Sequence, residues 1–130
     1  MICELLTKGV ESMPPLIPVE WDERTVMLFE DETITVSFRG GKVSFVEGDD
    51  PEAESVIQMT KKHLCDMIDG SMDFMTVWRV LAEPSPTDRR FIQKGSGAKL
   101  ITLIDLLSRS CKSNPEFKKL LAEYKNSLSS

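Results

Sequence analysis

The sequence predicts a single α+β domain, and three features carry that prediction. Residues 33–47 alternate apolar and polar side chains on either side of Gly40-Gly41, the pattern of a β-hairpin. Residues 60–70 read as a capped helix, opened by Thr60 and ended by Gly70. Residues 98–111 and 115–128 place apolar side chains at helical spacing.

The elements follow in order. Ile2, Leu5 and Leu6 form a short apolar cluster closed by Gly9, a fraying helix. Proline removes backbone donors and restricts the preceding residue, so Met13–Pro18 is expected to be an extended arm. The β-formers of 24–30 predict a first strand, with Asp31-Glu32 as a polar turn. In 33–39, Ile34, Val36 and Phe38 face one way and Thr33, Thr35 and Ser37 the other. A two-residue glycine turn then pairs Arg39 with Lys42, Phe38 with Val43, Ser37 with Ser44 and Val36 with Phe45. The large apolar residues of both strands land on one face.

Gly48-Asp49-Asp50-Pro51 is a loop, and Val56 and Ile57 mark a short strand over 54–59. The helix over 61–69 sets Leu64, Met67 and Ile68 on one side. Ser71 caps another helix that carries Phe74, Val77, Trp78 and Leu81 and stops at Pro84-Ser85-Pro86. A fifth strand spans 88–94. The helix over 98–111 has Leu100, Leu103, Ile104 and Leu107 on one face, widened by Ile101 and Leu106, which implies burial on more than one side. Asn114-Pro115 opens a last helix whose inner side is Phe117, Leu120, Leu121, Tyr124 and Leu128. The organisation is thus an arm (1–23), a core (24–112) and a C-terminal helix (113–130).

Composition excludes several functions. A net charge of −5 opposes non-specific nucleic-acid binding and a purely electrostatic membrane anchor. Pairs such as Lys61-Lys62 and Lys118-Lys119 read as solvated surface. No apolar run approaches the length of a membrane span, and no secretory signal opens the sequence. Cys3, Cys65 and Cys111 are widely spaced and odd in number, which suits reduced thiols and a cytoplasmic location.

Catalytic patterns are missing. His63 is the one histidine and reads as a surface residue. Cys65, two positions on, points away from it on a helix. Asp49, Asp50, Glu52 and Glu54 lack the EF-hand spacing, so no metal is expected. Lys94-Gly95-Ser96-Gly97-Ala98-Lys99 fails the phosphate-loop test, because Ala98 separates Gly97 from Lys99 and Leu100 follows. The positive signal is apolar. There are seven methionines, with Met59, Met67, Met72 and Met75 before or within two consecutive helices beside Phe74 and Trp78. Methionine suits pockets that accept variable ligands, although packed cores use it too.

The run E-T-I-T-V-S-F-R-G-G-K-V-S-F-V-E-G, then A-E-S-V-I-Q-M-T-K-K-H-L-C-D-M-I-D-G-S-M-D-F, then F-I-Q-K-G-S-G-A-K-L resembles the sterol carrier protein-2 family over roughly residues 24–110. Ser96 stands where the family has Asp, and 84–88 replaces a short glycine-containing link. The resemblance implies a twisted antiparallel sheet of about five strands, covered by helices over an apolar tunnel. It implies carriage of a fatty acid, fatty acyl-CoA or sterol-like lipid without chemical change and without a cofactor.

The expected lining is Phe38, Phe45, Met67, Phe74, Val77, Trp78, Leu81, Leu100, Leu103, Ile104 and Leu107. Lys94 or Lys99 would meet an acidic head at the tunnel mouth. The alternative is a packed interaction module on the same fold, forming a homodimer through 13–21 or the last helix.

Overall fold

The computed structural model describes residues 2–11, 17–71, 75, 92–95 and 98–128. The elements are α1 (Ile2–Glu11), β1 (Asp22–Leu28), β2 (Thr33–Arg39), β3 (Lys42–Glu47), β4 (Ser55–Gln58), α2 (Lys61–Asp69), β5 (Ile92–Lys94), α3 (Ala98–Ser113) and α4 (Pro115–Leu128).

The hairpin register is the one expected: Arg39 pairs with Lys42, Phe38 with Val43, Ser37 with Ser44 and Val36 with Phe45. Gly40 and Gly41 both hold positive φ, 60° and 80°, as a tight two-residue turn requires. Ile34, Val36 and Phe38 are buried on the helical side. In register beside them, Met27 of β1 opposes Ile34 and pairs in turn with Ile57 of β4.

The sheet order is β3-β2-β1-β4-β5. Four strands form its body, and β5 is a three-residue edge with a register irregularity against β4. The antiparallel expectation is corrected at one place. β4 lies parallel to β1, Thr25 beside Ser55 through Leu28 beside Gln58, so the sheet is mixed. After β3 the chain crosses back over the hairpin to reach the free edge of β1. Arg24 holds that crossing, with its guanidinium 2.8 Å from Asp50 and its backbone N–H donating to Glu54 at 2.7 Å. The acidic run is therefore partly a tether and not a wholly solvated loop.

Two helix starts match their sequence cues. The Thr60 hydroxyl accepts from the His63 N–H at 3.0 Å. Asn114 accepts from the N–H groups of Glu116 and Phe117, with Pro115 as first helical residue. Each such cap is worth about 1 kcal/mol. Gly70 ends α2 at φ 80°.

Other expectations need correction. Gly9 does not close α1. It occupies the fourth place of an apolar stripe, Ile2, Leu5, Leu6 and Gly9, that is buried along one side. Leu120 is not an inner residue of α4 but is 37% exposed, and Leu128 is half-buried. Met59 and Met67 are buried with the core, while Met75 is exposed. The helix expected from Ser71 with Phe74, Val77, Trp78 and Leu81, the Pro84–Pro86 stop, the first part of the 88–94 strand and Met13–Leu16 of the arm lie outside the described residues.

α1 packs against β3, α3 and α4. A Cβ on Gly9 would stand 2.6 Å from Phe117 Cζ and 2.8 Å from Leu107 Cδ2. Gly9→Ala is therefore expected to destabilise. Helix propensity favours alanine by about 0.5–1 kcal/mol, and overpacking costs about 1–3 kcal/mol. The net loss should be roughly 1 kcal/mol, read as a melting temperature lower by about 4 °C. An unchanged or raised melting temperature would show that α1 can shift freely away from Phe117.

Candidate functional site

The site is built from the apolar junction where the sheet meets the helices. Leu100, Leu103, Ile104 and Leu107 project from one face of α3, as their spacing predicts, and all are buried. Phe45 of β3 meets them from the sheet. With Leu6 of α1, Met27 of β1 and Leu64 of α2, these five expected residues surround a void of about 10 Å³. Such a space holds at most one water, and an apolar lining offers that water no partner. Phe38 and Met67 are buried in the same core without lining the void. Phe74, Val77, Trp78 and Leu81 lie outside the described residues. Leu6, Met27 and Leu64 were not expected to line the site. Their apolar periodicity was visible, but which space each would meet depends on contacts distant in sequence.

A second, larger space lies beside α1. A groove of about 330 Å³ runs between α1 and α4, with buried Leu5 and Tyr124 and exposed Leu120 as its apolar lining and Glu4, Lys8, Glu123 and Ser127 as its polar one. Leu5 lines the groove and Leu6 the interior void, so adjacent residues of one helix face the two spaces. Their separation by 100° around the helix turns the two side chains into different spaces.

Charged anchors fix this frame. Lys61, in a pair read as solvated surface, is buried. Its ammonium lies 2.8 Å from Asp31 and 2.6 Å from Glu32, and its backbone N–H donates to the Glu30 carboxylate at 3.2 Å. Burial opposes the Lys61 charge, but the two carboxylates outweigh it and raise its pKa above the ordinary lysine value. At the other end of α2, Lys125 of α4 lies 2.5 Å from Asp66 and 3.0 Å from Asp69. Burial would raise the Asp69 pKa, but hydrogen bonds from Ser71 and Lys125 hold it below the usual range.

Lys99 does not stand free at the mouth of a tunnel. Its ammonium is 3.6 Å from the Glu23 carboxylate and 5.9 Å from the Trp21 ring, which packs edge-on to Phe38. A negatively charged head would have to compete with Glu23. The Lys94 side chain is outside the described set; its backbone pairs with Val56.

Burial raises all three cysteine thiols, which opposes their activation as nucleophiles. Burial, with Asp69 and Asp66 close by, pushes the Cys65 thiol up to about 12, so it stays protonated at neutral pH. Burial likewise raises the Cys111 thiol. His63 is half-buried and not a surface residue; its Nδ1 is enclosed without a hydrogen-bond partner. Among the described residues no His, Cys, Asp and Glu cluster could hold a metal, and no helix is long and apolar enough to cross a membrane.

The arrangement defines a class: a mixed sheet with one face buried under helices and an apolar junction between the layers. This is the sterol carrier protein 2 fold. The chain superposes on a crystal structure of sterol carrier protein 2 with a TM-score of 0.52 at 13% identity, covering 82% of this chain and 92% of that one. It also matches the stereoselective inverting sec-alkylsulfatase Pisa1 from Pseudomonas sp., with a TM-score of 0.63 at 19% identity over 82% of this chain. There the similarity spans 16% of the sulfatase chain. No protein-family model and no curated protein matches the sequence.

Removing the Lys61 charge should loosen the anchor. Breaking a buried ion pair costs about 3–5 kcal/mol, and the exposure of Asp31 reduces this to roughly 2 kcal/mol for Lys61→Met. The folded pKa of Lys61 is raised, so its stabilisation is complete below about pH 10.5 and is lost as pH rises through the folded value. Tyr124, raised by burial, acts in the same direction. Urea unfolding from pH 10 to 12 should show falling stability in the parent and a shallower fall in Lys61→Met. Equal slopes would remove Lys61 from this role.

Proposed function

We propose that the chain binds an apolar ligand between its sheet and helices and releases it unchanged. The observation that carries this reading is the all-apolar junction at the centre of a sterol carrier protein 2 fold, surrounded by Phe45, Leu100, Leu103, Ile104 and Leu107. The proposed ligand is a fatty acid, a fatty acyl-CoA or a sterol-like lipid. Phe38, Met67, Phe74, Val77, Trp78 and Leu81 complete the proposed lining. Each buried methylene contributes about 0.8 kcal/mol, so only a long chain gains enough to offset the protein contacts it displaces. The setting is soluble and cytoplasmic, with no cofactor and no catalytic group.

One observation favours a second reading. The void of about 10 Å³ is what a finished core leaves, and a finished core suits an interaction module or homodimer. Native mass spectrometry of the purified chain separates the two. A co-purifying lipid mass on a monomer supports the first reading, and an empty dimer supports the second.

Displacement of a fluorescent fatty acid is the direct test. Fatty acid, acyl-CoA or sterol should displace it at micromolar concentration, while a short polar competitor should not. Phe45→Ala enlarges the junction from its half-buried side. That variant should lose about 2 kcal/mol of stability yet bind the probe several-fold more tightly. If no lipid displaces the probe and Phe45→Ala only destabilises, the carrier reading is wrong.

A further inference from the structure

We infer that the groove between α1 and α4 is where the ligand first seats, and that it selects a single-chain amphiphile whose head donates hydrogen bonds, a long-chain alcohol or amine over a carboxylate. The inference rests on the apolar-ligand reading above and departs from it in the head, placing a hydrogen-bond donor ahead of the carboxylate, acyl-CoA and sterol heads proposed there.

Size comes first. The groove measures about 330 Å³, at the lower end of the roughly 300–1,000 Å³ of small-molecule sites. One flexible chain fits that volume better than a bulky fused-ring body. The floor supplies the apolar contacts: Leu5 and Tyr124 are buried, and Leu120 stands 37% exposed above them. An exposed leucine over a buried apolar floor is the part of the groove that a guest would cover.

Charge decides the head. Two carboxylates, Glu4 and Glu123, and one ammonium, Lys8, line the groove. Lys8 has a carboxylate of its own outside the lining, Glu11 at 3.9 Å. The rim therefore presents acceptors in excess of donors. An alcohol or ammonium head donates to them, whereas a carboxylate head meets like charge. The net charge of −5 on the whole chain adds to that bias.

Position connects the groove to the interior. Leu5 belongs to the groove and Leu6 to the void, so α1 contributes a wall to each. Gly9 brings α1 against Leu107, itself part of the interior wall. A chain seated on Leu5 rests on the same helix that lines the apolar junction.

Competition against the neutral dye Nile red, bound to the full chain, tests this with dodecanol, dodecylamine and dodecanoate. Dodecanol and dodecylamine should displace the dye at concentrations at least fivefold lower than dodecanoate. The double variant Glu4→Gln, Glu123→Gln should bring dodecanoate level with dodecanol, and Leu120→Lys should weaken all three at least fivefold. These residues are at the surface, so melting temperatures close to the parent's will accompany the variants. If all three compounds compete equally and the variants change nothing, the groove inference is overturned and the carrier reading stands. If none of them displaces the dye and no lipid co-purifies, both are overturned.

Discussion

Lys61 holds the helical layer in register with the sheet. Its ammonium sits between Asp31 and Glu32 of the β1–β2 turn, while its own backbone opens α2 and donates its N–H to the Glu30 carboxylate. Three acidic residues of one turn thus meet the positive end of a helix and the cation at its first position. The carboxylates satisfy the ammonium, so its burial is tolerated. A buried ion pair of this kind is weak evidence for stability but strong evidence for placement, because the alternative arrangements leave a charge unpaired in the interior. α4 is tied to the other end of α2 by Lys125, so α4 inherits its position from the same anchor.

The consequence is a core closed from one side. With α2 and α4 fixed, the face of α3 has Leu103, Ile104 and Leu107 against the sheet, and α1 fills what remains. Leu6 reaches the junction only because Gly9 lets the helix lie on Phe117 and Leu107. Closure by α1 differs in kind from closure by the strands. The strands are tied into one sheet by ladder hydrogen bonds, whereas α1 is held by side-chain packing along one stripe. Packing without a hydrogen-bonded ladder is the interaction that a competing apolar guest can replace.

Local physics was legible in the sequence, and pairing at a distance was not. The Gly40-Gly41 turn set the β2–β3 register because a two-residue loop leaves one solution. Thr60, Gly70 and Asn114 marked helix ends because their chemistry acts within four residues. The parallel placement of β4 beside β1 left no such mark, since a strand of four residues carries no information about its neighbour. Gly9 misled for a related reason. A glycine at the end of a short apolar cluster suggests a stop, and only the distant Phe117 explains a glycine within the helix. Lys61 misled most, because a lysine pair has no local sign of burial. Of the expected lining, α3 and Phe45 came together, as helical and strand periodicity required. Their burial left open whether they enclose a guest or one another.

That question has an energetic form. Moving α1 aside exposes Ile2, Leu5 and Leu6, each worth about 1.5–3 kcal/mol of burial, so roughly 5–9 kcal/mol in all. A linear chain gains about 0.8 kcal/mol for each methylene it buries. Between about six and eleven methylenes are then needed before exchange breaks even, and a bound guest must also offset its own ordering. Short chains would leave α1 in place and rest only in the groove on Leu5, Leu120 and Tyr124. Long chains would reach the junction by taking over the surface that Leu6 covers. Chain length would therefore set the depth of binding and the head the choice at the rim, because the described residues around the void are all apolar and do not distinguish one head from another.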